Sequence, residues 1–320
     1  MSNEDLTEQR QDGQSRRKFI QTGSTLAAAT LAHHVASGPS LASAETLSPA
    51  FQSSVADSPG AKFRRVLADP EPGMAPGAYD IPSARLIEHH GFDAVVVGGS
   101  ACALVGYGLP NTGLVTLTEL TEFSGHIAQS MSLPVLADAD DGGRTPLQTY
   151  RAIQGFEKAG LGCVMFEDRD LGPGGRLVSV DLMSDKVRAA VDARRDPDLV
   201  IMARCDAVSL GASVEEALDR GAAYAEAGAD TLYFSGLGME EYARATDFVN
   251  RPLISTVNDT PLADLKRYRI SLGLYVGHAL NVALGAAHES LGELKRTGRV
   301  ANFSDRSLPR DVSRILTTRR

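Results

Sequence analysis

The stretch Leu-Pro-Val-Leu-Ala-Asp-Ala-Asp-Asp-Gly-Gly, residues 133–143, joins a short apolar run to three acids and two glycines. Side chains alternate between the two faces of a β-strand, so Asp138 and Asp140 are predicted to point the same way. Two carboxylates at the end of a strand suit a hard divalent cation such as Mg²⁺, which takes oxygen ligands and keeps several waters. A solvated acidic turn that ends the strand is the alternative, and this stretch alone does not decide between them.

Apolar runs of the same kind recur along the chain. Six of them follow either a glycine, the favoured residue just past a helix end, or a proline. With one further run at each end of the series, the chain has eight predicted strands with helices between them. The glycine-preceded runs lie within residues 90–97, 159–166 and 227–234, and the proline-preceded runs begin after Pro134, Pro197 and Pro252. The first and last runs are residues 74–79 and 270–276.

Apolar strands joined by helical crossovers are typical of a parallel sheet. Eight such units over about 240 residues predict an α/β fold of the closed (β/α)8 TIM-barrel type. A doubly wound open sheet is the alternative, but no Gly-x-Gly-x-x-Gly motif follows an early strand to favour it. Two helix starts are also predicted: an N-cap with a following proline at Thr145-Pro146, and a capping box from Ser213 to Glu216.

The N-terminal 44 residues do not resemble part of a fold. Residues 15–21, Ser-Arg-Arg-Lys-Phe-Ile-Gln, resemble a twin-arginine export signal, and they precede a weakly apolar stretch and the small-residue site Ala-Ser-Ala at 42–44. We therefore expect a signal peptide at 1–44 and export to the periplasm or the cell exterior. A disordered tail with a chance arginine pair is the alternative. The remaining boundaries are a linker at 45–61, a catalytic barrel at 62–300 and a C-terminal tail at 301–320.

Composition narrows the class of protein further. The chain has 320 residues, 43% of them hydrophobic, which is enough for one large domain with a full core. A net charge of −8 argues against a nucleic-acid partner. The sequence lacks an uninterrupted apolar run long enough to span a bilayer, so no membrane association is expected after signal removal. Three cysteines are an odd number and do not form a disulfide framework.

Function in a (β/α)8 barrel resides at the carboxyl ends of the strands. The ends of strands 3 and 4 carry the acids Asp138, Asp140 and Glu167, which would hold a cation. Strand 5 ends near Arg204, whose planar guanidinium suits a carboxylate. His278 follows strand 8 and could donate a hydrogen bond to a second carboxylate, although a solvated residue at a helix N-terminus is the alternative.

Several motifs resemble the isocitrate lyase/phosphoenolpyruvate mutase superfamily over about residues 76–287. They are PGAYDIPSARLIEHHGFDAVVVGGS, GLPNTGLVTLTEL, LPVLADADDGG, FED at 166–168 and RAAVDARRDPDLVIMARCDA. The resemblance implies a (β/α)8 barrel, with its last helix swapped between subunits of a homodimer or homotetramer. It also implies Mg²⁺ and a small α-keto or α-hydroxy acid as substrate. Asp138 matches the direct metal ligand, and Asp140 and Glu167 match acids that hold metal-bound water.

The loop at residues 169–176 separates the branches of this superfamily. Its lyases carry a Lys-Lys/Arg-Cys-Gly-His loop with a catalytic Cys, and its phosphomutases rely on a lysine there, whereas this loop contains no Cys, Lys or His. The resemblance is then nearest to the oxaloacetate decarboxylase branch. It implies that Gly98, Gly99 and Ser100 bind substrate and that Arg204 and His278 both bind substrate and act in catalysis. Asn111 departs from the aspartate usual in the superfamily.

These observations predict Mg²⁺-dependent decarboxylation of oxaloacetate or a related β-keto acid to pyruvate and CO₂. A carbon–carbon lyase acting on a substituted malate or isocitrate-like acid, such as dimethylmalate or methylisocitrate, is the first alternative. The second is a catalytically silent, exported binding protein on a barrel scaffold, because a fold does not guarantee a function.

Overall fold

The computed structural model describes residues 58–171, 175–257, 259–299 and 307–317. All of them belong to one compact unit, Pro49–Arg320. The predicted signal peptide at 1–44 lies outside the described residues, as do residues 45–57 of the linker and parts of the tail at 301–320. The first helix begins at Pro59, inside the predicted linker.

The described residues contain eight parallel strands in one sheet, in the order β1-β8-β7-β6-β5-β4-β3-β2. Between β1 and β2, Gly77 and Val96 form an isolated parallel bridge, and the Ala78 N–H donates to the Val96 carbonyl at 2.9 Å. The sheet thus closes into a barrel, and the predicted (β/α)8 fold is confirmed. The strands are β1 (Gly73–Pro76), β2 (Val95–Val97), β3 (Val135–Asp138), β4 (Cys163–Glu167), β5 (Val200–Cys205), β6 (Thr231–Phe234), β7 (Leu253–Thr256) and β8 (Ile270–Tyr275).

Helices separate successive strands, and each predicted strand overlaps an observed one. The α-helices are α1 (Pro59–Ala68), α2 (Ile81–His89), α3 (Gly99–Ala101), α4 (Leu117–Ala128), α5 (Pro146–Ala159), α6 (Val180–Ala193), α7 (Val214–Glu226), α8 (Met239–Val249), α9 (Leu262–Arg267), α10 (His278–Thr297) and α11 (Arg310–Ile315). A π-helical turn, Cys102–Gly106, follows α3, and a 3₁₀ turn, Val208–Leu210, follows β5. None of the described helices combines the length and apolar character needed to cross a bilayer.

The two predicted helix starts differ in outcome. Thr145 caps α5: its hydroxyl accepts from the Gln148 N–H at 3.3 Å, and the Gln148 side chain accepts from the Thr145 N–H at 3.1 Å. Ser213 caps α7 by accepting from the Glu216 N–H at 3.1 Å. The Glu216 carboxylate does not complete the box, because it pairs with the Arg220 Nε at 3.0 Å. The predicted cap is confirmed, whereas the predicted capping box is only half formed.

The alternation of side chains along each strand separates two apolar layers. Even-numbered positions of β3 point into the barrel, odd-numbered ones point toward the helices, and β4 and β5 each follow the same alternation in their own register. The inward-facing residues of these three strands include Leu136, Met165 and Met202. Two residues further on, the same inward row reaches Asp138, Glu167 and Arg204. The core pattern therefore carries these charged side chains to the mouth of the barrel.

Helix α1 closes the opposite end of the barrel. Phe63 is fully buried and packs in the interior cluster of the barrel. Gly60 lies so close to the backbone of Asp198 that a Cβ atom there would collide with it. Arg64 pairs with Asp230 at 3.0 Å and fixes the helix to the lower rim. Packing that stabilises the fold is thus concentrated away from the charged mouth.

Helix α10 is long and sparsely covered within the described part of the chain. Only Leu280 of its residues is buried. Large apolar side chains along the rest of the helix are exposed, namely Val282, Leu284, Leu291 and Leu294. A helix with an apolar face of this extent suits burial against another protein surface.

Candidate active site

Three side chains of the inward row form the centre of the candidate site. Asp138 ends β3, Glu167 ends β4 and Arg204 lies one residue before the end of β5. Asp138 and Glu167 are buried, at 9% and 3% exposure. The Arg204 Nη1 atom lies 2.8 Å from the Glu167 Oε2 atom. The structure thus brings together these three predicted site residues on neighbouring strands.

Asp140 reaches the same place by a turn. Its backbone adopts a left-handed conformation, with φ of 50°, and its N–H donates to the Asp138 Oδ1 atom at 3.1 Å. The Gly99 N–H lies 3.5 Å from the Asp138 Oδ2 atom, and a Cβ atom on Gly99 would lie 2.6 Å from the Asp140 Oδ1 atom. Both carboxylates therefore face Gly99. The predicted proximity is confirmed, but the turn, and not strand alternation, produces it.

Neighbouring elements fasten this turn. The Glu167 N–H donates to the Asp140 carbonyl at 2.9 Å, and the buried Lys186 ammonium donates to the Asp141 carbonyl. Gly142 has a positive φ of 65° and lies so close to Phe166 that a Cβ atom would meet that side chain at 2.9 Å. A larger residue at Gly142 would strain the backbone and the packing together.

The segment after β2, residues 98–100, lies beside these acids. Gly98 and Gly99 are buried, whereas Ser100 is exposed at the start of α3. The close approach at Gly99, a predicted substrate-binding residue, is made by the Asp140 carboxylate of the protein itself. Asn111 is exposed, and its Oδ1 atom would lie 3.5 Å from a Cβ atom on Gly99. The residue that replaces the usual aspartate thus stands next to Asp140.

Four charged residues form a closed ring of ion pairs, which we call the ionic ring: Glu167, Arg204, Asp206 and Arg169. Arg204 forks onto Asp206 through its Nε and Nη2 atoms at 2.6 and 3.0 Å. Arg169 completes the ring, with its Nε atom 3.3 Å from Glu167 Oε1 and its Nη1 atom 3.6 Å from Asp206 Oδ2. The Arg169 Nε group is buried without a hydrogen-bond partner among the described residues.

The aromatic ring of Tyr233 supports Arg204 from β6. The guanidinium carbon of Arg204 lies 5.6 Å from the ring centroid, a cation–π distance. The Thr256 hydroxyl donates to the Tyr233 oxygen at 3.1 Å. Arg169, Asp206 and Tyr233 were not predicted as site residues. The alternation of β6 could have indicated Tyr233, which shares a face with Thr231.

Burial raises the pKa of the three acids near the centre. For Asp140 the pKa rises to about 7, because the Asp138 carboxylate adds to the effect of burial. For Glu167 burial raises the pKa to about 8 against the opposing effect of Arg204. Burial also raises the pKa of Asp138 and outweighs the same guanidinium. Ionised carboxylates here carry a cost in free energy that a bound cation would reduce.

The charge balance of the site fits a divalent cation. When all four carboxylates are ionised, they outnumber the two guanidinium groups with which they interact and leave two negative charges in excess. Within the described residues, no three His, Cys, Asp or Glu side chains converge closely enough to hold an ion together. Mg²⁺ is commonly bound through one or two carboxylates and its own waters, and Asp138 and Asp140 could supply such carboxylates. The four acids are Asp138, Asp140, Glu167 and Asp206.

His278 lies apart from this centre. It is the first residue of α10, beyond the end of β8, and it is exposed. No contact among the described residues joins it to the acids or to the ionic ring. Its predicted role as a substrate-binding and catalytic residue stays a prediction, placed at the rim of the barrel mouth.

The two described ends of the loop after β4 pair with each other beside the site. Arg169 and Leu177 form an antiparallel bridge, and the Asp170 N–H donates to the Arg176 carbonyl at 2.8 Å. Leu171 packs against Gly113, where a Cβ atom would lie 2.7 Å from the leucine Cβ. A cavity of about 890 Å³ between α4 and α5 opens beside Leu171 and is lined at that end by Asp140 and Asp141.

The three cysteines are free and buried, and none belongs to this loop. Burial raises the pKa of Cys102 to about 12 and raises the pKa of Cys163 and Cys205 as well. Cys205 follows Arg204 on β5 and points to the outer layer, with its sulfur 3.8 Å from the Ala217 carbonyl. None of these thiols is placed to exchange a proton with a substrate in the barrel mouth.

We therefore expect no thiol of the native protein to react with a maleimide or with Ellman's reagent at pH 8, because only the thiolate attacks and all three thiols are buried and protonated. Denaturation should release three reactive thiols. Cys205→Ser should retain turnover within about threefold, because serine is close to cysteine in size, keeps a donor and removes only a thiol that faces away from the barrel mouth. Loss of turnover in a folded Cys205→Ser variant would contradict this placement.

The fold and the site together define a (β/α)8-barrel enzyme with its charged residues at the carboxyl ends of adjacent strands. Residues 63–295 match the phosphoenolpyruvate phosphomutase family, and the chain belongs to this family within the phosphoenolpyruvate mutase/isocitrate lyase superfamily. The predicted superfamily is confirmed.

Characterised relatives cover most of the chain. It is 34% identical over 258 residues to 2,3-dimethylmalate lyase of Eubacterium barkeri, covering 77% of the chain and 89% of that protein. It is 32% identical over 247 residues to oxaloacetate decarboxylase of Rhodopseudomonas palustris (strain HaA2), covering 74% and 85%. The solved structure of phosphonopyruvate hydrolase with oxalate and Mg²⁺ matches with a TM-score of 0.72 and 25% identity, covering 81% and 94%. The predicted enzyme class, a carbon–carbon lyase of this superfamily, is confirmed.

Proposed function

We propose that the chain catalyses Mg²⁺-dependent decarboxylation of oxaloacetate, or of a close β-keto acid, to pyruvate and CO₂. The observation that carries the proposal is the loop after β4. Where a cysteine-bearing loop would supply a proton donor, this chain places Arg169 in the ionic ring. Decarboxylation needs no protein thiol, because water can protonate the enolate that remains after CO₂ leaves.

Each residue of the site has a part in this reaction. Asp138 would hold the metal directly, and Asp140 and Glu167 would hold it through water. When bound, Mg²⁺ supplies Lewis-acid stabilisation of the negative charge that develops on the substrate. Arg204, held in place by Asp206 and Glu167, would bind the C1 carboxylate through the N–H groups that these two contacts leave available.

The remaining steps need few groups. Gly98 and Ser100 would offer backbone N–H groups to the same carboxylate, while the Gly99 N–H is directed at Asp138, and His278 at the rim would orient the C4 carboxylate. The C3–C4 bond breaks, its electron pair remains on the pyruvate fragment as an enolate, and CO₂ leaves. Water then donates the proton that forms pyruvate. The acids and Arg204 are positioned before substrate arrives, which is the arrangement that electrostatic catalysis requires.

The proposal is tested by measuring pyruvate formed from oxaloacetate by the full-length protein, with and without Mg²⁺. We expect turnover well above the spontaneous rate that is lost on addition of EDTA and restored by excess Mg²⁺. Cys205→Ser serves as the matched control, since it lies on β5 beside Arg204 and faces the outer layer. A folded protein without Mg²⁺-dependent turnover would contradict the proposal.

A lyase acting on a substituted malate is the second candidate, favoured by the 34% identity to 2,3-dimethylmalate lyase. It requires an acid or base other than a loop cysteine. Release of a second organic product from 2,3-dimethylmalate or 2-methylisocitrate, in place of CO₂ from oxaloacetate, would establish this candidate. Tight binding of such acids without turnover would establish the binding-protein alternative.

We also propose that the chain forms a homodimer or homotetramer in which α10 packs against a second copy. The exposed apolar residues of α10, such as Leu284 and Leu291, would be covered there. Light scattering should give a mass of at least two chains, and Leu291→Glu should shift it toward one chain by placing a charge in the apolar contact. A monomer at every concentration, with Leu291→Glu unchanged, would contradict the proposal.

A further inference from the structure

A buried polar network lies behind the ionic ring, between the barrel and α7. Asp168 follows Glu167, and its side chain therefore points away from the barrel interior. The Tyr224 hydroxyl donates to the Asp168 Oδ2 atom at 2.7 Å, and the Arg220 Nη1 atom lies 3.4 Å from the same oxygen. Asp168 and Tyr224 have no exposed surface, and Arg220 is 8% exposed.

This network reaches the site through Asp206. The other oxygen of Asp168 accepts from the Asp206 backbone N–H at 2.7 Å. The carboxylate of Asp206 in turn receives the fork of Arg204. Because Asp206 has no exposed surface, no solvent can substitute for either contact. A continuous series of hydrogen bonds thus joins Tyr224 on α7 to Arg204 on β5.

The same network holds the loop that carries Arg169. The Arg220 Nη1 group donates to the Val178 carbonyl at 2.9 Å, and the Val178 N–H donates to the Asp168 carbonyl at 2.9 Å. Val178 follows Leu177, the residue that forms the bridge with Arg169. Arg204 is therefore linked through Asp206 to the Asp168 carboxylate, whereas the loop that carries Arg169 is linked to the Asp168 backbone and to Arg220. The Asp168 carboxylate itself is held by two side chains of α7, Arg220 and Tyr224.

We propose that Tyr224 and Arg220 are positioning residues, which fix Arg204 through Asp168 and Asp206 in the orientation that binds a substrate carboxylate. The inference rests on the proposed function of Arg204 as the carboxylate-binding residue. Losing a donor to a buried carboxylate leaves that group unsatisfied, so the Asp168 side chain would shift. This shift weakens its hold on the Asp206 backbone and tilts the guanidinium of Arg204.

The test compares Tyr224→Phe with Tyr242→Phe in the full-length protein. Tyr242 is also fully buried, but its hydroxyl bonds with the backbone of Phe234 on β6, at 2.8 and 3.1 Å, and with Ser255, outside the Asp168 network. The probe is oxalate in the presence of Mg²⁺, and calorimetry gives its Kd for each variant. The thermal midpoint of unfolding of each variant is measured as well. Tyr224→Phe should weaken oxalate binding about tenfold, as expected for a lost hydrogen bond to a charged group. Tyr242→Phe should bind oxalate as the wild type does, although it also loses stability.

Steady-state kinetics provide a second measurement. In Tyr224→Phe the KM for oxaloacetate should rise more than kcat falls. The reason is that the displaced guanidinium of Arg204 would bind the substrate less well both in the ground state and in the transition state. Arg220→Lys keeps a donor, so its oxalate Kd and its KM for oxaloacetate should lie between those of the wild type and those of Arg220→Met. If Tyr224→Phe does not fold, the comparison of these two Arg220 variants tests the inference.

An unchanged oxalate Kd in Tyr224→Phe and in Arg220→Met, with stability lost, would show a purely structural role and overturn the inference. A wild-type protein that binds no oxalate would overturn it together with the assignment of Arg204. Oxalate binding without decarboxylation would defeat the proposed function alone, and the comparison of the two tyrosine variants would still decide the inference.

Discussion

Asp138→Asn is expected to lower kcat/KM for oxaloacetate by about 10³-fold, equivalent to about 4 kcal/mol of transition-state stabilisation. The carboxylate ends the inward row of β3 and accepts from the Gly99 and Asp140 N–H groups. Asparagine keeps the shape and one accepting oxygen but removes the negative charge that would hold the cation. The decrease should appear in kcat at saturating Mg²⁺, and pyruvate formation by the purified variant measures it.

Stability separates this effect from misfolding. Burial raises the pKa of Asp138, so the ionised carboxylate destabilises the metal-free fold. Without metal, the neutral Asp138→Asn variant should therefore have a thermal midpoint of unfolding equal to or above that of the wild type. Mg²⁺ should raise the midpoint of the wild type and leave that of Asp138→Asn unchanged. Asp141→Asn is the control, because that carboxylate accepts from the Gly143 N–H within its own turn. Activity of Asp138→Asn within threefold of the wild type would refute the metal assignment.

Arg204→Lys is expected to lower kcat/KM by about 10²-fold, mainly through KM. Arginine forks onto Asp206 with two nitrogens and reaches Glu167 with a third, whereas an ammonium group is a point charge that cannot make all three contacts. The lysine ammonium would therefore bind the substrate carboxylate less well, and it would no longer neutralise both Asp206 and Glu167. Steady-state kinetics with varied oxaloacetate give the two constants separately.

The matched control for Arg204→Lys is Arg188→Lys. Arg188 pairs with Asp185 at 2.7 Å, and both side chains are more than half exposed, so the pair contributes little. Its kinetics should equal those of the wild type. Kinetics of Arg204→Lys that equal those of Arg188→Lys would show that the fork of Arg204 is not used to bind substrate.

The predicted site residues that strand alternation places correctly, Asp138, Glu167 and Arg204, all lie on regular strands. Eight apolar runs, each preceded by Gly or Pro or placed at an end of the series, were sufficient to predict the barrel. The same alternation that buries Leu136 and Met165 carries Asp138 and Glu167 to the mouth. Local hydrophobic pattern therefore determines both the strand and the direction of its last side chain.

The features of the site that the sequence did not predict depend on turns, on loops and on contacts between residues far apart in the sequence. The left-handed backbone of Asp140 follows from no periodicity, since only its packing beneath Gly99 shows why it is needed. Arg169 folds back from a loop, where side-chain direction has no repeat. Tyr224 and Asp168 lie 56 residues apart, and only the folded barrel brings them together. Glu216 forms an ion pair with Arg220 in place of the second half of the capping box.

The charged site is drawn from one continuous length of chain. Both acids beneath Gly99 and every member of the ionic ring lie between Asp138 and Asp206, on β3, β4 and β5 and their following loops. These three strands pair only with each other and, at their outer edges, with β2 and β6. Exchange of this one segment between related barrels would therefore transfer the whole charged centre, together with the Asp198 backbone that packs against α1. The chemistry is thus encoded as one cassette, and its fit to a new scaffold depends on the residues of α1 and α7 that the recipient supplies.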